Sequence, residues 1–194
     1  DVNNMPQTVS RNDTLKAAYT YLSDGTKVMV RDKADNTSSN GYLYLGSMVF
    51  RKTGTSYAFE STDFGGGRII NVNGTLTPYY YTTDHLGSVR AITDAGGNVV
   101  ERNDYYPFGK SMTTGNTYPT MSVNRWKYNG KETQTTGGVN WLDYGARMYD
   151  EVIGRWTKPD PMSEKYYEIS DYAYCGNNPV KFVDKDGKEF GWPE

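Results

Sequence analysis

The residues that could act as nucleophiles in this sequence are few, and their local patterns favour structural roles. His85 is the only histidine of the 194-residue chain, and it lies between Asp84 and Ser88 in the segment DHLGS. Serine-histidine-aspartate triads are assembled from distant parts of a chain, so this adjacency favours a turn. Cys175 is the only cysteine, and it could pair with His85 only if the fold brought the two together. In the segment YAYCGNN, the cysteine is more typical of a small packed side chain.

A second group of candidates consists of carboxylates near the C-terminus. Asp160 precedes Pro161, a pattern typical of a helix N-cap with proline at the first helical position. The run DKDG (residues 184–187) has the residue types of a tight turn. It also resembles the start of a calcium loop, but the glutamate required at the twelfth position is missing, because the chain ends at the eleventh. Local pattern alone predicts a cap and a turn, with no metal and no cofactor.

The bulk composition argues against several classes of function. The net charge is -2, so there is no basic excess of the kind that nucleic-acid-binding proteins use, and we expect no nucleic acid partner. A single cysteine excludes an internal disulfide framework and an all-thiolate metal site. No apolar run approaches the ~20 residues of a membrane helix, so we expect no membrane insertion. The chain starts at Asp1 without a methionine, and we expect a piece of a longer or processed protein.

The elements that must position these residues are predicted to be strands. Aromatic residues make up 14% of the chain, with 18 tyrosines, although only 36% of the residues are hydrophobic. Disordered segments are poor in aromatics, and tyrosine buries a ring while its hydroxyl stays hydrated. This composition favours broad sheets with thin or wet interfaces.

Turn signals separate short segments of alternating side chains. Residues 18–32 predict a hairpin with its turn at Asp24-Gly25, and residues 41–52 predict a strand pair or one bent strand with Gly46 as a bulge. Residues 79–108 form the clearest unit, with alternating strands and two turns. Helical evidence is confined to one or two turns at residues 160–167.

Four segments in a fixed order carry a resemblance to a known family. They are DHLGSVRAITD (84–94), YYPFG (105–109), LDYGARMYDEVIGRWTKPDP (142–161) and YAYCGNNPVKFVDKDG (172–187). Together they resemble the C-terminal core of bacterial RHS/YD-repeat proteins. The resemblance implies an all-β fold, a twisted antiparallel sheet of the YD-repeat type that forms part of a shell. It divides the chain into a linker or irregular edge (1–14), YD-repeat-like strands (15–78), the RHS-associated core (79–190) and a tail (191–194).

Toxin-bearing members of this family cut their own chain with an intramolecular aspartic protease. Residue by residue, the resemblance assigns Asp160, Asp184 and Arg147 to that catalytic site, with Asp186 as a neighbour. Two carboxylates held close together cannot both ionise cheaply, so one keeps its proton while the other activates water. A nearby guanidinium would orient one of them.

The sequence also departs from the family's motif at this site. Lys185 stands where a proline is expected, and Lys188 where a hydrophobic residue is expected. A member that does not cleave is therefore an open alternative, with Arg147 as a stacking or surface residue.

The resemblance predicts a structural core or plug of an RHS-type shell, in a secreted or surface-displayed bacterial toxin system. Its partners would be the remainder of the shell or a C-terminal toxin cargo, with self-cleavage near Gly187. The alternative is a surface-adhesion or glycan-binding module without catalysis. Its stacking platforms would be tryptophans and several tyrosines, with Trp126, Trp141 and Trp156 among the candidates.

Overall fold

A computed structural model describes residues 5–33, 40–112 and 124–193. These residues contain sixteen β-strands, four short 3-10 segments and no α-helix, and the strand pairs are antiparallel. The predicted all-β class is therefore confirmed. Within this part of the chain, no helix has the length and apolar character needed to span a membrane.

The chain divides into two compact units. Unit 1 comprises Asp1–Tyr81, Asp94–Asn98 and Thr135–Val139, and unit 2 comprises Thr82–Thr93, Val99–Gln134 and Asn140–Glu194. The four predicted segment boundaries are not tested by this division and stay a prediction.

Unit 1 is a meander in which each strand pairs with the next in sequence. Its strands are β1 (Thr8–Arg11), β2 (Thr14–Tyr21), β3 (Lys27–Asp32), β4 (Gly41–Leu45), β5 (Met48–Thr53), β6 (Ser56–Asp63), β7 (Gly67–Val72) and β8 (Thr75–Thr83). Strand β1 occupies the segment in which the sequence predicts a linker or irregular edge.

The turns of unit 1 follow the local sequence, with one exception. Asp24 accepts the Thr26 N–H at 2.8 Å and closes the predicted β2–β3 turn. Gly46 is not a bulge: it lies between β4 and β5 with φ of 60°, so it forms the turn of a hairpin. The break in strand register lies instead in β5, between Val49 and Phe50, where β5 pairs with β6. A left-handed glycine between two short apolar runs serves a turn or a bulge equally well, which explains the error.

Unit 2 contains three smaller groups of strands. Strands β9 (Val89–Thr93) and β10 (Val99–Arg102) pair with each other. A four-stranded sheet follows, formed by β11 (Glu132–Gln134), β12 (Trp141–Asp143), β13 (Met148–Asp150) and β14 (Arg155–Trp156). Near the C-terminus, β15 (Val183–Asp184) pairs with β16 (Phe190–Gly191). The 3-10 segments are Tyr128–Gly130, Ser163–Lys165 and Tyr174–Asn177 in unit 2 and Thr136–Gly138 in unit 1.

The core of unit 2 is built mainly from aromatic rings. Its buried members are Tyr128, Leu142, Tyr144, Tyr149, Trp156, Tyr174 and Cys175. The hydroxyls of Tyr144 and Tyr174 both donate to Asn129 Oδ1, at 2.6 and 2.7 Å, so these polar tips are satisfied inside the core. This packed layer fixes β13 and β14, the two strands next to the predicted protease residues.

Candidate carboxylate site

One arginine brings the two predicted catalytic aspartates together. Nη2 of Arg147 lies 2.9 Å from Oδ2 of Asp160 and 3.3 Å from Oδ2 of Asp184. The side chains of Arg147 and Asp184 are each 1% exposed, and that of Asp160 is 9% exposed. Both carboxylates therefore share a single guanidinium nitrogen in a site shielded from water.

Arg147 is positioned by the aromatic core. It immediately precedes β13, and its guanidinium lies 4.0 Å from the ring centre of Trp156 in β14. A planar guanidinium over an indole face is attracted by the ring's electrostatics. The alternative of a surface arginine is wrong, because this side chain is among the most deeply buried of the described residues.

Asp184 ends β15 and organises the turn after this strand. Its Oδ1 accepts the N–H groups of Gly187 at 2.6 Å, and of Asp186 and Lys188 at 3.2 Å each. The predicted turn is therefore confirmed. The same side chain also points its other oxygen, Oδ2, at Arg147, so the turn and the charged cluster are built on one carboxylate.

Asp160 lies in a turn before a helical segment and is not its N-cap. Its Oδ1 accepts the Met162 N–H at 2.7 Å, while the 3-10 segment Ser163–Lys165 has Met162 at the cap position. The predicted N-cap is therefore two residues too early. Asp160 instead bonds the Met162 N–H through Oδ1 and pairs with Arg147 through Oδ2.

Gly187 places a backbone carbonyl in the same cluster. Its oxygen accepts a hydrogen bond from Arg147 Nε at 2.7 Å. Its φ of 78° favours glycine, and a Cβ there would lie 2.8 Å from the backbone nitrogen of Arg147. Glycine is therefore required both by the turn and by the close approach of the two chain segments.

Burial acts on the charge state of Asp184. Desolvation raises the pKa of the Asp184 carboxyl, although the hydrogen bond from Gly187 and the charge of Arg147 oppose the shift. Of two carboxylates around one guanidinium, the one with the raised pKa keeps its proton more readily. Burial therefore works against the charged form of Asp184, while the hydrogen bond from Gly187 and the charge of Arg147 work in its favour.

A cavity of about 300 Å³ lies beside Asp184, lined in part by His85, Lys131 and Lys185. Lys131 Nζ donates to the Lys185 carbonyl at 2.5 Å, which fixes the start of the turn. Burial lowers the pKa of Lys131, and the carboxylates of Asp184, Asp143 and Asp186 oppose this shift. Asp186, predicted as a neighbour, has a 59%-exposed side chain and makes no ion pair with Arg147.

The other nucleophile candidates are engaged elsewhere. Ser88 Oγ accepts the Asn129 N–H at 3.1 Å, and His85 Nε2 lies 3.0 Å from the Val180 carbonyl oxygen. Asp84 Oδ1 accepts the N–H groups of Leu86 and Ser88 within its turn. No hydrogen bond joins these three side chains in the described ranges.

Cys175 is a buried residue of the unit 2 core. Burial raises the pKa of its thiol to about 12, which leaves it protonated and inert. Across residues 5–33, 40–112 and 124–193, no group of three or more His, Cys, Asp or Glu side chains is placed to hold a metal ion.

The tryptophans proposed as glycan platforms differ in exposure. Trp156 is 2% exposed beneath Arg147 and cannot stack on a ligand. Trp126 and Trp141 are half-buried, and the indole N–H of Trp141 donates to Asp150 at 3.1 Å. The adhesion alternative therefore rests on fewer residues than the sequence indicates, and it stays a prediction.

Sequence reasoning missed Lys131, Trp156 and the carbonyl of Gly187 as parts of this site. The one available signal was local: Trp156 lies four residues before Asp160 in the segment 142–161. Nothing in the sequence pairs Lys131 with the turn, because that contact joins residues 54 positions apart.

Glu151 supplies a separate prediction about pH. Burial raises the pKa of this half-buried carboxyl to about 7, and the charge of Asp150 adds to the shift. A folded pKa above the unfolded value of about 4.3 gives stability that is present below the unfolded pKa and lost as pH rises through about 7. We expect Glu151→Gln to raise the unfolding free energy by about 1–2 kcal/mol at pH 8 relative to wild type, and by little at pH 4.

Urea titrations of both proteins between pH 4 and pH 8 measure this difference. The exposed Glu168→Gln variant is the matched control and is expected to follow wild type throughout. A Glu151→Gln protein whose stability parallels wild type at every pH would show that Glu151 ionises freely in the fold.

The comparisons with known proteins agree with this architecture. The family model described as Teneurin YD-shell matches residues 53–180. Crystal structures of TcdB2-TccC3 are similar in fold, one with a TM-score of 0.73 and 24% identity over 92% of this chain and 10% of that chain. The Photorhabdus luminescens Tc holotoxin pore carrying the TccC3-D651A mutation gives a TM-score of 0.70 at 23% identity, over 93% of this chain and 9% of that chain.

Curated relatives are far longer than this chain. Salivary gland surface protein 1 of Aedes aegypti is 37% identical over 92% of this chain and 6% of its own length. The tRNA3(Ser)-specific nuclease WapA of Bacillus spizizenii is 28% identical over 95% of this chain and 7% of its own length. The chain therefore spans less than a tenth of these relatives. It belongs to the Teneurin YD-shell family, as an RHS/YD-repeat region with a structural role in the shell.

Proposed function

We propose that this chain is the core of an RHS-type shell that encloses a C-terminal toxin cargo, and that it cuts its own backbone just after Gly187. Arg147, Asp160 and Asp184 perform the cut, once per chain. The protein would act outside the cell or at its surface.

The single observation that carries the proposal is that one guanidinium, that of Arg147, contacts both aspartates and the Gly187 carbonyl. Its Nη2 contacts both carboxylates, while its Nε donates to the Gly187 carbonyl at 2.7 Å. A carbonyl that already accepts a hydrogen bond from a cation is polarised toward attack. Because the bond to be cut belongs to the same chain, tethering replaces a substrate-binding cleft.

The proposed reaction is hydrolysis of one peptide bond. Ionised Asp160 takes a proton from water, and the water oxygen bonds to the carbonyl carbon. Protonated Asp184 supplies a proton as the carbon–nitrogen bond breaks, so the products are a carboxyl terminus and a free amine. Burial, which raises the pKa of Asp184, favours this aspartate as the proton donor of the pair.

The cargo and the location rest on the relatives. Two are named for toxin or nuclease activity, TcdB2-TccC3 as part of a Tc toxin and WapA as a tRNA nuclease. A third is named as a surface protein. Each name describes that protein; the toxin and nuclease names support a cargo, and the surface-protein name supports a location at the cell surface.

The test is the intact mass of this chain carrying a reporter domain after Glu194, monitored over time after purification. We expect the wild type to lose mass by cleavage between Gly187 and Phe190. Asp160→Asn is expected to stay intact, because a neutral amide cannot take the proton from water. Asp186→Asn is the matched control, since this exposed neighbour makes no ion pair with Arg147.

An intact wild-type chain would remove the cleavage proposal and leave a purely structural cluster. Equal cleavage in Asp160→Asn and wild type would assign the cut to a contaminating protease. Loss of cleavage in Asp186→Asn, with Asp160→Asn still active, would place the catalytic pair elsewhere.

A further inference from the structure

The segment after the turn is packed against the body of unit 2 by aromatic side chains. The Phe190 ring lies 5.0 Å from Tyr166 in a stacked arrangement and 5.6 Å from Phe182. The Trp192 ring lies 5.5 Å from Phe182, and Lys181 Nζ lies 4.6 Å from the centre of the same indole. All the partners in these contacts precede the turn in the chain.

The backbone of this segment is also anchored. Phe190 and Gly191 form β16, which pairs with Asp184 and Val183 of β15 in an antiparallel ladder. Glu189 adds an ion pair, with its Oε2 3.1 Å from Lys165 Nζ. Gly176 lies beneath Phe190, where a Cβ would come within 3.2 Å of the ring, so the groove is shaped for an aromatic side chain.

The upstream side of the turn is fixed independently. Asp184 accepts the N–H groups of Asp186 and Gly187, and Ala146 N–H donates to the Asp186 carbonyl at 2.9 Å. Lys131 holds the Lys185 carbonyl. A break in the backbone just after Gly187 would therefore leave each new end bound to the body by contacts that do not depend on the broken bond.

We infer that unit 2 contains a peptide-binding groove for an extended segment with aromatic residues at alternate positions, and that its occupant is the chain's own Phe190–Trp192 after the backbone is cut. The groove is formed by β15, Tyr166, Phe182 and Gly176. It recognises the segment by strand addition to β15 and by ring contacts to two alternate side chains, the half-buried Phe190 and Trp192, which is 67% exposed. Cutting alone would not release the C-terminal piece, because its new amino terminus stays docked. The position of the natural cut in this turn rests on the proposed function. The groove is argued from the contacts alone and does not rest on that proposal.

The test separates docking from self-cleavage. A recognition sequence for a specific protease is inserted between Lys188 and Glu189 of a chain that carries a fluorescent protein after Glu194. The protein is cut with that protease under native conditions and passed over a size-exclusion column. We expect the fluorescent piece to elute with the body.

The double variant Phe190→Ala/Trp192→Ala is expected to shorten the lifetime of the cut complex at least tenfold. The matched control is Tyr167→Ala, which removes an aromatic ring that is 88% exposed and should leave the lifetime unchanged. The uncut double variant must elute as the uncut wild type does, which shows that its body is folded.

Separation of the fluorescent piece immediately after cutting the wild type would overturn the inference. Equal retention by wild type and the double variant would also overturn it, because the aromatic groove would then not be the anchor. A wild type that never cuts itself but retains the piece after protease cleavage would support the groove while removing the proposed self-cleavage.

Discussion

Replacing Arg147 with methionine is expected to lower the unfolding free energy of the protein by roughly 3–5 kcal/mol. Methionine keeps the length and the packing over Trp156 but removes the charge. Two carboxylates that are 9% and 1% exposed would then lose their shared partner, and the Gly187 carbonyl would lose its donor. A buried charge without a partner is among the most costly defects in a fold. Urea titration monitored by tryptophan fluorescence measures the loss.

The control for this change is Arg155→Met in the neighbouring strand β14. Arg155 is exposed and donates to Asn177 Oδ1 at 3.2 Å, so its loss should change stability by no more than about 0.5 kcal/mol. The triple variant Arg147→Met/Asp160→Asn/Asp184→Asn should recover part of the loss, because it leaves no unpaired charge. A single Arg147→Met variant as stable as Arg155→Met would contradict the buried ion-pair cluster.

Asp184→Asn is expected to slow self-cleavage by about 10²–10⁴-fold, the range typical of a lost general acid. The pH dependence of the cleavage rate tests whether Asp184 acts as the proton donor. Because burial raises the pKa of Asp184, the wild-type rate should fall as pH rises through that raised value and the proton is lost. Cleavage rates of freshly refolded protein between acidic and alkaline pH measure the profile.

The residual cleavage rate of Asp184→Asn should not fall as pH rises, since an amide does not lose a proton in this range. The control is Asp143→Asn, which changes a half-buried carboxylate that accepts the Gly145 N–H at 2.8 Å and should keep the wild-type profile. A wild-type rate that rises steadily with pH would contradict a protonated Asp184 and indicate hydroxide-driven chemistry.

Most of the fold can be predicted from local sequence signals. The hairpin at Asp24-Gly25 and the loop at residues 94–98 form where dipeptide turn chemistry predicts them. Gly46 was misassigned because a glycine with positive φ suits a turn and a bulge alike. The prediction of an N-cap at Asp160 is wrong because this side chain has a competing partner, Arg147, that the local pattern does not reveal.

The site was only partly accessible from sequence. By local pattern, Asp160 and Asp184 are turn or cap residues, and each does bind the neighbouring backbone. Their second oxygens meet at Arg147, which non-local packing holds in place through a core that includes Tyr149 of β13 and Trp156 of β14. Such contacts depend on tertiary structure, so the resemblance to a family suggested the cluster where spacing alone could not.

The most direct test of self-cleavage is its kinetics as the reporter-bearing chain refolds from urea at several protein concentrations, monitored by intact mass. A tethered aspartate pair predicts a first-order cut with the same rate constant over a hundredfold dilution, beginning only as unit 2 folds. The fragment masses should place the new ends between Gly187 and Phe190. A chain that stays intact after complete refolding, or a rate that scales with protein concentration, would contradict self-cleavage by Arg147, Asp160 and Asp184.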